Sequence, residues 1–549
     1  MRLPGARLGF ALVPLAVLAV FFVLPVAGMV ARGFVVDGVF DPGAVLEVLG
    51  RPRVHRVLLF TVTTAAVGTV LSVLLGVPAA YALHRLRFPG ARVLRAVVVI
   101  PFVLPTVVVG VAFRQLLAPS GLLGGLGLDG TPVAIVAALV FFNVSVVVRT
   151  VGAHWEGLDP RREEAAAALG ASPLQVLWTV TLPALRPAIV SAASVVFLFC
   201  ATAFGVVLTL GGLRYATVET EIYLLTTSFL DLQAAAALSL VQMAAVVVLL
   251  ALAHRARAGE GPLTRTSRPP RRPRRGDVPA LLVLAGVLTL VATPVLTLVA
   301  RSLRVGDGWG WDHYRALAAG PAETGGALRV PVTTAVENSL RTAVDATVLA
   351  LVLGVVVAVV TTRPVTGGRR ERRWAAALDG VFMLPLGVSA VTLGFGFLIT
   401  LDRPPLDLRS SPLLVPIAQA MVALPLVVRV LSPVLRSIDD RQRQVARTLG
   451  APPSRVLRDV DLALAWRPLL AATGFAFAVS LGEFGATSFL ARGDRPTLPI
   501  VVFQLISRPG AENLGMALAA SVVLGVLTVS VMALVERLRG SGPGQAGVF

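Results

Sequence analysis

The sequence predicts an all-α polytopic membrane protein of about twelve transmembrane helices, arranged as two parallel six-helix repeats. Three observations carry that expectation. The 549 residues are 56% hydrophobic and only 14% charged, too little charge to cover a soluble surface of this size. Apolar runs of about 20 residues, the length that crosses a bilayer, recur along the whole chain. Landmarks of the first half also return in the second at a constant spacing, the signature of a duplicated unit.

The spans read, in order, as 8–30, 57–83, 95–117, 132–152, 186–210, 232–254, 278–301, 338–362, 377–400, 411–432, 468–490 and 514–536. The first follows Arg2 and Arg7 but exceeds the roughly 7–15 apolar residues of a signal peptide, so it reads as a retained span. Arginines orient the set. Arg85, Arg87, Arg92 and Arg95 follow the second span, and Arg161 and Arg162 the fourth. Arg363, Arg369, Arg370, Arg372 and Arg373 follow the eighth, and Arg441 and Arg443 the tenth. The positive-inside rule then places these loops and both termini in the cytoplasm of a bacterium, with the chain multi-pass in its cytoplasmic (inner) membrane. The opposite loops mix signs, as where Arg214 neighbours Glu219 and Glu221.

The net charge is +19, and all 49 basic residues are arginine. Because they lie in short loops between spans, membrane lipid is an expected partner and nucleic acid is not. The stretch 255–277 is rich in Arg, Pro and Gly. Its prolines and like charges oppose compact folding, so it reads as a solvated cytoplasmic linker. It separates a first membrane domain, 1–254, from a second, 278–549. The single Cys200 rules out a disulfide framework within the chain.

The repeat rests on five pairs. Leu104-Pro105 matches Leu384-Pro385, Arg149 matches Arg429, and Leu169-Gly170-Ala171 matches Leu449-Gly450-Ala451. Phe204-Gly205 matches Phe484-Gly485, and Thr217 matches Thr497. The same offset in residue number separates the members of every pair. With six spans per copy, both copies enter the membrane from the same side. The repeat is therefore parallel, about a pseudo-two-fold axis along the membrane normal. Pro105 and Pro385 fall within spans and predict kinks, because proline lacks the amide a helix interior needs.

The loop after the fourth span reads EEAAAALGASPLQVLWTVTLPALRP, residues 163–187. Glu163 to Leu169 are strong helix formers. Gly170 can take the left-handed conformation that ends a helix. Ser172 followed by Pro173 suits an N-cap and the first helical position. The result is a helix–turn–helix between two spans, whose alanines 165–168 leave a low surface for another protein to pack on. The chain has no lysine, so it cannot hold a phosphate-binding loop of the G-x-x-x-x-G-K-[ST] type. No metal-ligand cluster or nucleophile–base constellation appears, so no catalytic residue and no cofactor are expected in this chain.

Here the sequence resembles a family. Glu164-Ala165-Ala166, Gly170, Val180 and Leu182-Pro183 are similar to the EAA motif of ABC importer permeases. In that family the loop is a coupling helix seated on a nucleotide-binding subunit. Gln444, Val445, Ala446, Gly450, Val460 and Leu462 form a second, degenerate copy, with Ala463 in place of the proline. The resemblance implies the type I ABC importer permease fold and two copies of an ABC ATPase on the cytoplasmic face, which would use ATP and Mg. It also implies an extracytoplasmic substrate-binding protein and transport by alternating access, with no enzymatic step in this chain. FGVVLTLGG (204–212), ETEIY (219–223), GEFGATSFL (482–490) and RPTLP (495–499) resemble the tandem-fused thiamine and ferric-iron permease group. That resemblance implies thiamine, a related compound, or ferric iron as substrate.

Glu483 is the one acidic residue well inside a predicted span. An intramembrane carboxylate is costly and points to function. It could line a substrate pathway together with Gly205 and Gly485, facing a cation, or it could satisfy backbone or an arginine near the far end of the span. The alternative architecture with the same 6+6 span count is a secondary transporter of the major-facilitator type. That reading calls for coupling-ion residues inside spans, and acids there are scarce.

Overall fold

In hydrocarbon a backbone amide has no water to bond, so each long apolar run must close its own hydrogen bonds as a helix. The structure, a computed structural model, describes residues 4–36, 38–257, 270–318, 328–362, 378, 380–382, 384–402, 404 and 406–539. The first half comprises α1 (Ala11–Phe34), α2 (Pro52–Arg85), α3 (Ala91–Val103), α4 (Thr106–Leu117) and α5 (Pro132–Glu156). It continues with α6 (Pro160–Ala168), α7 (Pro173–Ala201), α8 (Gly205–Gly211), α9 (Val218–Thr227) and α10 (Leu232–Arg257). The second half comprises α11 (Arg275–Ser302), α12 (Val332–Thr362), α13 (Ala390–Thr400), α14 (Leu414–Ser437) and α15 (Asp440–Thr448). It ends with α16 (Pro453–Leu481), α17 (Thr487–Leu490), α18 (Leu498–Ile506) and α19 (Ala511–Arg539).

Among the described residues ten helices are long and apolar enough to cross a bilayer, and α3 with α4 makes an eleventh, bent by 102°. The bend falls at Leu104-Pro105, where proline ends the hydrogen-bond ladder. The span predicted over 377–400 lies partly outside the described residues. Its described part holds helical residues at 378 and 380–382, a 3₁₀ turn, Leu384–Gly387, and α13, which at 11 residues is too short to cross alone.

Two predicted spans need correction. The run 186–210 stops at Ala201 and restarts as α8, and the run 468–490 stops at Leu481 and restarts as α17. The apolar run continues, but the helix does not. The segments that follow, α9 and α18, are short apolar helices where the sequence suggested an external loop. Each begins with a backbone amide held by a helix of its own half. Val218 N–H donates to Thr61 Oγ1 at 3.0 Å, and Leu498 N–H donates to Ser339 Oγ at 2.7 Å.

The halves echo each other closely. A two-residue β-hairpin follows the first span of each, pairing Val35 with Phe40 and Arg304 with Trp309 in the same register. The most extensive helix pair in each half closes over a glycine. A Cβ on Gly76 of α2 would lie 2.6 Å from Val147 Cβ of α5, and one on Gly354 of α12 would lie 2.6 Å from Val427 Cγ1 of α14. The halves also exchange their first spans: α1 packs on α12 and α13, while α11 packs on α2 and α4.

Part of the predicted linker, 258–269, lies outside the described residues, and the rest is not a free connector. Arg271 forms a parallel bridge with Leu86 at the end of α2, donating its N–H to Arg85 O and accepting from Arg87 N–H. Asp277 binds Arg271 and accepts from Tyr81 Oη at 2.7 Å. The joint between the halves is thus pinned to the first half.

Gly76→Ala or Gly354→Ala should overpack its helix pair and cost about 1–3 kcal/mol, read as a lower melting temperature of the purified protein in detergent. Gly286→Ala, at a position where a Cβ meets nothing within 4 Å, should leave the melting temperature unchanged or raise it.

Candidate functional site: two matched loops and a closed axis

The loop after α5 folds as its residue types require. α6 starts from an N-cap at Asp159, whose side chain accepts from Arg161 N–H. Gly170 ends it with φ +88°, a conformation open to glycine and strained for other residues. Ala171 N–H then reaches back to Ala166 O, and Gly170 N–H to Ala167 O, closing a Schellman-type turn. Ser172 and Gln175 form a capping box with Pro173 at the first helical position of α7. A π turn, Leu177–Thr181, precedes Leu182 and Pro183, which resume the α-helix. Glu164 and Ala165 are exposed, and Ala166 is partly covered.

The second loop has the same backbone. α15 is capped by Asp439, Gly450 has φ +82°, and Ala451 N–H reaches Ala446 O. The π turn recurs at Leu457–Leu462, with Ala463 after it. Proline is therefore not what produces the π turn. Gln444 is exposed and Ala446 partly covered, as at the matching positions of the first loop. Both loops present a leucine to the outside: Leu169 is 90% exposed and Leu449 83%.

What differs is the brace that holds each loop to its span. In the first, Glu163 accepts from Thr181 Oγ1 at 2.9 Å and from Arg85 Nη2 at 2.8 Å. In the second, Arg443 and Asp461 are the repeat equivalents of Glu163 and Thr181, and they form an ion pair at 2.7 Å. Arg443 also bonds Asp440 at 2.6 Å and Leu435 O at 3.0 Å. Burial works against its charge, but the bonds from Asp461 and Asp440 outweigh it and hold the guanidinium pKa above its ordinary value. From sequence, Glu163 reads only as a helix former and Arg443 only as an orienting arginine, and Thr181 and Asp461 carry no role. The constant offset that revealed the repeat could have paired them.

Between the halves, Phe204 stacks on Phe484 with ring centroids 5.3 Å apart. These two are repeat equivalents, and an element touches its own symmetry mate only at the axis. The arrangement extends outward in matched steps. Tyr223 lies edge-on to Phe204 at 5.4 Å, and Phe503, the repeat equivalent of Tyr223, packs on Phe484 at 5.3 Å. Gly205 and Gly485 begin the turns beside this cluster. A Cβ on Gly205 would lie 2.5 Å from Thr106 Oγ1, and one on Gly485 would lie 2.9 Å from Ala390 Cβ. Aromatic rings from both halves meet at the axis.

Two carboxylates flank these rings. Glu483 is buried, but in the break between α16 and α17 rather than inside a span, which corrects the expectation. It accepts from Ala486 N–H at 2.7 Å, from Thr487 N–H at 3.0 Å and from the Thr487 hydroxyl. Of the two readings left open, the geometry matches backbone satisfaction. Glu219, read from sequence as part of an external loop, is fully buried in α9. Its neighbour Glu221 turns the other way, to Arg53 Nη2 at 2.9 Å.

Comparison with known proteins is in keeping with this geometry. The model of the family described as "Binding-protein-dependent transport system inner membrane component" matches twice, at residues 72–257 and 350–540. The thiamine transport system permease protein ThiP of Brucella abortus is 29% identical over 501 residues, 88% of each chain. The ThiP of Escherichia coli is 28% identical over 502 residues, 88% of this chain and 89% of its own length. The molybdenum transport system permease protein ModB of Mycobacterium tuberculosis is 39% identical over 214 residues, 36% of this chain and 78% of its own.

Asp461→Ala should leave Arg443 buried without its main counter-ion and destabilise the second loop by about 3–5 kcal/mol. Thr181→Ala, which removes one hydrogen bond to a carboxylate, should cost the first loop about 1.5–3 kcal/mol. Limited proteolysis at 438–456 and 158–176 reads the two losses separately.

Proposed function

The chain belongs to the family of binding-protein-dependent transport system inner membrane components, and on that premise we infer which of its parts move substrate and which receive force. It is a multi-pass inner-membrane permease of the ABC importer type, and this assignment leaves the 6+6 secondary-transporter alternative without support. We propose that the two matched loops are where two ATPase subunits dock, with α6 and α15 as the coupling helices. Glu164, Ala165, Ala166 and Gly170, with Leu182 and Pro183 behind them, form one seat. Gln444, Ala446, Gly450 and Leu462 form the other.

The observation that carries the reading is the pair of exposed leucines. Leu169 and Leu449 stand on identical turns, and a large apolar side chain so bare at a helix end gains only if a partner covers it. A solvated connector would have no use for the same knob twice. The loop-bearing face is then cytoplasmic, as are the termini. ATP and Mg belong to the docked subunits, since this chain has no lysine for a phosphate loop.

The aromatic closure at Phe204 and Phe484 is the shut gate of an alternating-access cycle. Pushing the two loops together or apart rocks the halves, and the axis opens where the rings now stack. Gly205 and Gly485, at the turns beside the rings, allow the close approach this needs. An external binding protein delivers the substrate to the opposite face. Relatives matched over 88% of both chains carry thiamine in their names, which favours thiamine or a related organic cation over ferric iron.

Leu169→Asp and Leu449→Asp test the docking assignment. Each lies on the surface, so folding stability should change by no more than about 0.5 kcal/mol. Co-purification of the ATPase subunit and thiamine uptake into proteoliposomes should fall in each variant and vanish in the double variant. Full association in the double variant would overturn the assignment.

A further inference from the structure

Glu219 has no role in the loops, in the ring stack or in capping a helix, yet it is buried to 0% exposure. Its depth can be read from its neighbours. Gly68 lies midway along α2, and a Cβ there would sit 3.2 Å from Cys200 Sγ. Asn143, midway along α5, donates to the same sulfur at 3.4 Å. Cys200 is therefore near the middle of both helices. The next residue, Ala201, offers its carbonyl to Gln242 Nε2 at 3.5 Å, and Gln242 donates to Glu219 Oε1 at 3.1 Å. The preceding amide, Val218 N–H, meets Thr61, about two turns from Gly68 toward the start of α2. The Glu219 carboxylate thus lies within the membrane-crossing part of the bundle, between its middle and that end.

Its second oxygen accepts from Ser389 Oγ at 2.8 Å. Ser389 belongs to the other half, where it caps α13. Both partners are neutral, and among the described residues no ion pair reaches this carboxylate. Arg53, the arginine that reaches α9, is bound to Glu221. One turn along α9 stands Tyr223, in edge contact with Phe204 and with Phe489 at 5.5 Å. Ala390, which follows Ser389, packs where Gly485 leaves room beside Phe484. Glu219 therefore lies at the junction of the halves, beside the rings that meet at the axis.

A carboxylate buried here without a counter-ion is costly and marks a functional site, and its charge suits an arriving cation. Aromatic faces around it attract the same ligand through their quadrupole. We propose that Glu219, with Tyr223, Phe204 and Phe484, forms an intramembrane recognition site for a flat heteroaromatic cation, occupied when the rings part. The site is asymmetric, because the repeat equivalent of Glu219 is Pro499. The proposal rests on the transport reading above and deepens it by naming the residue that meets the substrate's charge.

The test uses the complete complex of this chain with its ATPase and binding protein in proteoliposomes, and compares Glu219→Gln, Glu219→Asp and wild type. Gln keeps the shape and can still bond Ser389 and Gln242, so it removes charge while sparing a structural latch. Glu219→Gln should lower thiamine uptake about tenfold or more, the loss of one modest ionic contact, while ATPase stimulation by the loaded binding protein stays near wild type. Glu219→Asp should restore most of the uptake.

A second measurement needs no binding protein. The thermal shift of the permease–ATPase complex is recorded with thiamine and with its neutral isostere, in which thiophene replaces the thiazolium ring. Wild type should respond to the cation and not the isostere, and Glu219→Gln to neither. If wild type takes up no thiamine but this cation-selective shift appears and is lost in Glu219→Gln, the substrate reading falls and the site stands. Equal shifts with cation and isostere, no shift in wild type, wild-type uptake by Glu219→Gln, or joint loss of uptake and ATPase stimulation would each overturn the site.

Discussion

A chain that interrupts its helices inside hydrocarbon must supply every freed amide with a partner from its own side chains, and much of this architecture follows from that constraint. The spans ending at Ala201 and Leu481 stop short and restart as half-helices. An unsatisfied amide there would cost several kcal/mol. Thr61 and Ser339 each take up the first amide of a returning helix, and the Glu483 carboxylate takes up two at the start of α17. Such hydrogen bonds fix where the returning segments lie, and those segments bring the aromatic rings to the axis. Polar residues that hydropathy treats as blemishes are thus what makes the breaks tolerable.

The two halves share a frame but not its chemistry. Each loop carries the same glycine turn, the same back-bonded alanine and the same bare leucine. Beneath them, an acid–hydroxyl contact in one half is an arginine–aspartate pair in the other. The second loop, which resembles the family motif poorly in sequence, is held by the stronger set of contacts. Motif degeneracy at Gln444 marks a change in surface residue, not a loss of the fold that presents it.

The sequence made the repeat, the long spans and the helix–turn–helix loops legible, because each has a local cause: apolar length, a constant offset, or glycine and serine at helix ends. The half-helices were not legible. Residues 204–210 continue an apolar run that began at 188, and hydropathy has no signal for a broken ladder of hydrogen bonds. Glu219 was misplaced for the opposite reason: beside Arg214 and Glu221 it looks like a wet loop, although alternate side chains of α9 face different surroundings. The exchange of first spans between the halves was also invisible, since apolar helices pack on any neighbour that fits.

The pinned joint has a further consequence. Arg271, Leu86, Tyr81 and Asp277 tie the entry of the second half to the end of α2, so the two halves meet as parts of one molecule at an effective concentration that can reach the millimolar range. Two separate subunits must hold together through their interface alone, which favours a broad and sticky contact. A tethered pair is released from that requirement. Its interface can be loose enough to slide, and each half can diverge without waiting for its twin to change in step.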